Sequence, residues 1–274
     1  MTLDSCRYDT FAAANVPALK SVGPLHLVHA AGNFTFSSHA AMFVGFTPGD
    51  ASRQEAFVNP KYGKIFKMAA ITAPSLGQPF VTLEGRSVMD GLRRMGYVTI
   101  GTGAVGWFDD RLPTAALLTR DFDRFWFSGG TWFLDRQLEF VDAAMADAGD
   151  RPVFVFLNVG ETHVPYWHDG AAWDRALNPC VPFRPANDAE ECRRRQRACL
   201  EYADGRLAPL LGRFDNIVVC ADHGDAWGED GLWEHGISHP KVLEVPLVFR
   251  LDRPFRRGNE TELLSPLSTT GGET

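Results

Sequence analysis

The chain has 274 residues, room for one large domain or two small ones at about 150 residues each. Apolar residues make up 45% and charged residues 22%, which excludes a disordered chain. The formal charge of −7 disfavours a nucleic-acid binder, which carries a basic surface.

Taken in chain order, short apolar runs alternate with longer amphipathic ones. Leu25–His29, Tyr97–Gly101, Val153–Asn158, Ile217–Cys220 and Pro246–Leu251 read as strands. Their nearly continuous apolar character predicts a parallel sheet covered on both faces. Between them Ser87–Met95, Trp132–Ala148 and Ala189–Leu211 read as helices. The alternation predicts an α/β fold, a three-layer α/β/α sandwich with a mostly parallel central sheet. Residues 1–255 are expected to form one catalytic domain. Residues 256–274 hold few large apolar side chains and are expected to be a flexible tail.

No apolar run approaches the roughly 20 residues of a spanning helix. The first residues, Met-Thr-Leu-Asp-Ser-Cys-Arg, carry no basic stretch followed by an apolar one. The expectation is a cytoplasmic protein without a membrane span. Its five cysteines (Cys6, Cys180, Cys192, Cys199 and Cys220) form no CxxC pair, so free thiols are expected.

The strongest chemical signal is Ile217-Val-Val-Cys-Ala-Asp222-His223-Gly224-Asp225, followed by Glu234-His235-Gly236. An apolar strand ends there in Asp and His. In open α/β sheets, ligands bind outside the carboxyl ends of strands. An oxygen and an imidazole nitrogen side by side suit one divalent metal. The competing reading is an N-cap Asp beside a surface His. Three further segments stand out: Leu3-Asp4-Ser5-Cys6-Arg7-Tyr8-Asp9; Asn33-Phe34-Thr35-Phe36-Ser37-Ser38-His39; and a strand leading into Glu161-Thr-His163-Val-Pro165-Tyr166.

In this order the four segments resemble the sulfatase-like branch of the alkaline phosphatase superfamily. Val88–Thr99 and Glu244–Phe249 are similar to further parts of it, and the resemblance covers roughly residues 3–250. In that family the sulfatase nucleophile segment reads Cys-x-Pro-Ser-Arg, and phosphate-handling members read Thr-x-Pro-Ser-His. Thr35-Phe-Ser-Ser-His39 matches the second pattern, with Ser37 in place of Pro. Cys6 lacks the context in which sulfatases form formylglycine.

The resemblance implies a metal-dependent hydrolase or transferase acting on small-molecule phosphate esters, with Thr35 as nucleophile. It implies Asp4, Thr35, Asp222 and His223 as metal ligands, and His163 and His235 as catalytic groups on a second ion or on the transferring group. Arg7 and His39 are candidates for contacting substrate oxygens. Mixed Asp and His ligation suits zinc or manganese ahead of magnesium or calcium. Two alternatives stay open: a sulfuric-ester hydrolase without formylglycine, and a non-catalytic member that binds a metal or phospho-ligand.

Several residues carry bland readings beside these. Arg7 with Asp9 reads equally as a salt bridge, and Ser38 as a helix cap. Gly101-x-Gly103-x-x-Gly106 spells a dinucleotide fingerprint, but the sequence after it does not continue as a helix. Arg193–Arg197 sits among Glu190, Glu191 and Glu201 and reads as a solvated helix face. The loops Asn59–Gln78 and Trp167–Asn187 are expected to set substrate choice.

Overall fold

The structure is a computed structural model that describes residues 1–46, 66–69, 80–83 and 85–252. The chain begins with β1 (Thr2–Leu3), α1 (Tyr8–Ala13), α2 (Pro17–Lys20), β2 (His26–His29) and α3 (Thr35–Val44). A two-stranded antiparallel ribbon, β3 (Phe66–Ala69) with β4 (Phe80–Leu83), precedes α4 (Val88–Arg94). Next come β5 (Val98–Gly103), α5 (Ala116–Thr119), β6 (Arg124–Phe127), α6 (Leu134–Ala148), β7 (Val153–Val159) and α7 (Ala189–Leu211). The last part holds β8 (Asn216–Ala221), the small pair β9 (Ala226–Trp227) and β10 (Trp233–Glu234), α8 (Pro240–Leu243) and β11 (Glu244–Leu251).

Seven strands form the main sheet in the order β2-β11-β8-β1-β7-β5-β6. Neighbours from β8 to β6 run parallel, and β11 runs antiparallel to both β8 and β2. Strand β7 shows why the sheet is covered twice. Val153, Val155, Leu157 and Val159 pack into a cluster with Phe11 of α1, Leu19 of α2, Val141 of α6 and Leu200 of α7. Phe154 and Phe156 pack on the other side with Phe36 and Phe43 of α3, Met89 of α4 and Leu118 of α5. Alternate residues of a strand face opposite sides, so one continuous apolar run feeds two cores. The result is the expected α/β/α sandwich with a mostly parallel sheet.

Element positions follow the sequence closely. Ser87 caps α4 by accepting from the Met89 N–H, and Asp188 caps α7 by accepting from the N–H groups of Glu190 and Glu191. Helix α6 buries Leu134, Gln137, Val141, Ala144 and Ala148, a stripe at helical spacing. Three readings change, and the rejection of a dinucleotide site gains its physical reason. Strand β2 is an exposed edge rather than a buried strand. Gly101 and Gly103 are packing glycines: a Cβ at Gly103 would meet Phe108 Cγ at 2.3 Å, and one at Gly101 would meet Phe125 Cδ2 at 2.6 Å. Arg195 is buried rather than solvated, pairing with Glu191 at 2.6 Å and donating to the Leu177 carbonyl. Ser38 does not cap α3; its hydroxyl donates to the Asp222 carbonyl at 2.7 Å. All five cysteines are free thiols. The tail 256–274 and most of the loop Asn59–Gln78 lie outside the described residues.

Candidate metal centre and active site

Because β1 lies between β7 and β8, the carboxyl ends of these three parallel strands open onto one point. Asp4 follows β1, Asp222 and His223 follow β8, and His163 follows β7. Thr35 enters from the side as the first residue of α3. These residues are far apart in the chain, and the sheet order alone brings them together.

Asp4, Thr35, Asp222 and His223 are all buried. The Thr35 hydroxyl donates to Asp4 Oδ2 at 3.5 Å and lies 3.3 Å from His223 Nε2. Asn158 Nδ2 donates to the same Asp4 oxygen at 3.0 Å. Asp222 Oδ1 accepts from the N–H groups of Ser5 at 3.1 Å and His223 at 3.0 Å. His223 Nδ1 donates to the Gly224 carbonyl at 3.0 Å, which leaves the Nε2 lone pair aimed at the carboxylates. Burial, then the charge of neighbouring His235, lowers the His223 pKa to about 4, so the ring is neutral near neutral pH. Ser5 adopts φ 57°, a left-handed conformation costly for a non-glycine residue. Its carbonyl is held by Gln196 Nε2 at 2.9 Å.

One atom marks this cluster as a candidate cation site. Asp222 Oδ2 is buried without a hydrogen-bond partner and lies 3.5 Å from His223 Nε2. Burial, then the charge of Asp4, pushes the Asp222 pKa well above the usual carboxylate range. Two dry carboxylates facing one neutral imidazole need a positive charge between them. Ligand atoms of Asp4, Asp222 and His223 lie within 4.8 Å of one another, and so do those of His223, Asp225 and His235. The residues present therefore fit a divalent cation, with His223 shared between two candidate groups.

His235 and His163 complete the rim. The rings of His223 and His235 are 4.4 Å apart, and those of His235 and His163 are 5.3 Å apart. Asp225 Oδ1 lies 2.8 Å from His235 Nδ1, and Asp225 Oδ2 accepts from the Tyr166 hydroxyl at 2.7 Å. Burial lowers the His235 pKa, but the hydrogen bond and charge of Asp225 outweigh it and raise it to about 9. The His163 Nδ1 donates to the Val164 carbonyl at 2.7 Å.

Arg7 and His39 are placed behind the site rather than in it. The Arg7 guanidinium pairs with Asp9 at 2.6 Å and Glu229 at 2.8 Å, donates to the Asp225 carbonyl, and lies 4.1 Å over Trp227. Its nitrogens are thus engaged within the protein. His39 is wholly buried, donating from Nδ1 to the Thr35 carbonyl at 2.8 Å and accepting at Nε2 from Thr2 at 3.0 Å. Burial lowers its pKa to about 4, so it is a neutral prop for Thr35.

Residues missed from sequence include Asn158, Ser5, Thr162, Gln196, Asp225 and Tyr166. Thr162 donates to the Asp4 carbonyl at 2.6 Å. Asp225 and Tyr166 lie inside the two runs that drew attention, so proximity to Asp222 and His163 was a usable signal. Gln196 lies mid-helix, 191 residues from Ser5, and carries no local signal.

An α/β/α sheet with Asp and His after its central strands defines the alkaline-phosphatase-like fold, and solved structures bear this out. No family model matches the chain, and no curated protein matches it. The C-terminal periplasmic domain of phosphoethanolamine transferase EptC from Campylobacter jejuni is similar at a TM-score of 0.60 and 13% identity, over 90% of this chain and 76% of that one. The zinc complex of the corresponding domain from Escherichia coli gives 0.59 and 12%, over 92% and 71%. An alkaline phosphatase superfamily protein from Vibrio parahaemolyticus gives 0.53 and 16%, over 93% and 59%. At these identities the likeness shows the fold, the one expected from the resemblance. It goes against one expectation, the cytoplasmic location: the similar transferase structures are periplasmic domains. Among the described residues no helix is long and apolar enough to cross a membrane.

Proposed function

We propose that this chain is an extracytoplasmic, metal-dependent phosphoester transferase or hydrolase in which Thr35 is the nucleophile. The observation that carries the reading is the position of the Thr35 hydroxyl, 3.5 Å from Asp4 Oδ2 and 3.3 Å from His223 Nε2, beside the unpartnered Asp222 Oδ2. The similar transferases, one of them holding zinc, support it.

Asp4, Asp222, His223 and Thr35 would hold the ion. A divalent ion there lowers the pKa of a hydroxyl and neutralises phosphoryl oxygens. The chain supplies the rest. Asp4 orients the Thr35 hydroxyl, and the positive end of the ten-residue α3 favours negative charge on its oxygen. A bond forms from Thr35 Oγ1 to phosphorus as the hydroxyl proton passes to Asp4 Oδ2, which already accepts it, and the ester P–O bond breaks. The departing oxygen takes a proton from His235, which Asp225 holds protonated near neutral pH. Water or an acceptor alcohol then attacks the phospho-threonine and gives its proton to His235, while the departing Thr35 oxygen takes its proton back from Asp4. His163 faces the same space and is suited to hydrogen-bond a phosphoryl oxygen.

A metal-replete screen of phosphate monoesters, phosphate diesters including a phosphoethanolamine donor, and sulfate esters tests this. Thr35→Ala is expected to lose at least about 10³-fold in turnover while keeping most metal affinity. Acid-quenched native enzyme should carry phosphate on Thr35. Near-normal activity of Thr35→Ala would remove the nucleophile, and sulfate esters as sole substrates would remove the phosphoester class.

A further inference from the structure

Behind Asp225 lies a separate small cluster of Tyr166, Cys180, Cys192, Cys199 and Trp227. Tyr166 and Trp227 belong to the wall of the site: the Tyr166 hydroxyl donates to Asp225 Oδ2 and accepts from Trp227 Nε1 at 2.8 Å. The cysteines have no part in the chemistry above, and three thiols in one dry cluster call for an account.

Cys180 lies within the long loop that runs from Tyr166 to the start of α7, and Cys192 sits in the first turn of α7. Their side chains lie against each other. Cys192 Sγ also donates at 3.5 Å to the carbonyl of Pro179, the residue just before Cys180. Cys180 Sγ donates at 3.6 Å to the carbonyl of Ala226, the residue just after Asp225. This part of the loop is further tied to the helix start by the Asp188 N–H, which donates to the same Pro179 carbonyl at 3.0 Å. Two backbones are thus held close with both sulfurs between them.

We propose that Cys180 and Cys192 join as a disulfide when the chain folds in an oxidising compartment, stapling the loop after Tyr166 to α7. The extracytoplasmic location proposed above is where such bonds persist. Cys199 cannot pair with Cys192: it lies seven residues further along α7, about 10 Å up the axis, beyond the Cα separation of about 7 Å that a disulfide spans. Cys6 packs in the main core and Cys220 lies on β8. The reaction is a thiol–disulfide exchange with a small-molecule disulfide. Two thiols lose two protons and two electrons as the S–S bond forms, and the oxidant is reduced to two thiols. Both cysteines are fully buried in the folded chain, so closure belongs to folding or to opening of the loop. The staple would hold Tyr166 and the Ala226 backbone, and through them the Asp225 carboxylate that orients His235.

The full chain, reduced and denatured, is refolded with oxidised and reduced glutathione, alkylated under denaturing conditions, and mapped by peptide mass spectrometry. Expected is one crosslinked peptide pair holding Cys180 and Cys192, with Cys6, Cys199 and Cys220 alkylated. The thermal midpoint should lie about 5–10 °C above that of the reduced protein. Cys180→Ala and Cys192→Ala should each fold when reduced and lose both the crosslink and the shift. Alkylation of both Cys180 and Cys192 after oxidative refolding, or a crosslink between any other pair, overturns the proposal.

Discussion

Asp222 Oδ2 and Glu161 Oε2 are both buried carboxylate oxygens without partners, yet they ask for different remedies. Asp222 faces Asp4 and His223, a donor set for a cation. Glu161 stands alone, its other oxygen accepting from the Leu134 N–H at the start of α6 at 2.9 Å. Burial raises its pKa from 4.5 to about 8, so the folded chain keeps a proton that the unfolded chain releases. The unfolded state therefore binds fewer protons between those values, and stability falls as pH rises through that window. Below 4.5 both states are protonated, and above about 8 both are ionised, so the loss levels off. The slope is about 1.4 kcal/mol per pH unit inside the window. Glu161→Gln should flatten it and raise stability near pH 8, as read by urea denaturation at a series of pH values. An unchanged pH slope would mean that Glu161 is ionised in the fold.

At the scale of elements, one tight constraint is the seat of β5 under the aromatic wall of Phe108, Phe122 and Phe125. Gly101 and Gly103 allow those rings to lie on the strand, and Gly106 merely opens a short turn with no atom within 4 Å of its missing Cβ. A dinucleotide site would need all three glycines for backbone approach to a phosphate. Packing makes a different demand. Gly103→Ala forces Phe108 away and should cost at least about 1–3 kcal/mol. Gly106→Ala should stay within about 0.5 kcal/mol of the native chain. Thermal melts of the two variants decide between these accounts, and equal costs would overturn the packing one.

For the whole molecule, the proposed centre would couple stability to metal. A ligand that binds only the folded state stabilises by about 2.7 kcal/mol at a hundred times its dissociation constant. That corresponds to a rise of roughly 5–10 °C in thermal midpoint for a chain of this size. Zinc added to chelator-treated protein should produce it, and chelator should reverse it. Asp222→Asn removes one of two facing charges while keeping Oδ1 for the Ser5 and His223 N–H groups. It should raise the midpoint of the metal-free protein and abolish the zinc shift. A zinc response equal to that of the native chain would exclude Asp222 as a ligand.

What the sequence by itself determined was local. Apolar runs of strand length, the Ser87 and Asp188 caps and the helical stripe of α6 are each set within a few residues, so the α/β/α class could be read directly. The order of Asp4, Thr35, His163, Asp222, His223 and His235 was likewise open to reading, because each stands at the end of such a run or beside one. Tertiary structure alone decided which oxygens and nitrogens meet. Arg7 and His39 looked like substrate contacts until Asp9, Glu229, Thr2 and the Thr35 carbonyl occupied their nitrogens. Asn158 and Gln196 looked like ordinary strand and helix residues, and they turned out to hold Asp4 and Ser5. The reason is physical: a strand's period fixes which face a residue takes, but a buried polar atom's partner depends on strand order, and β1 sits between β7 and β8 through contacts more than 150 residues apart.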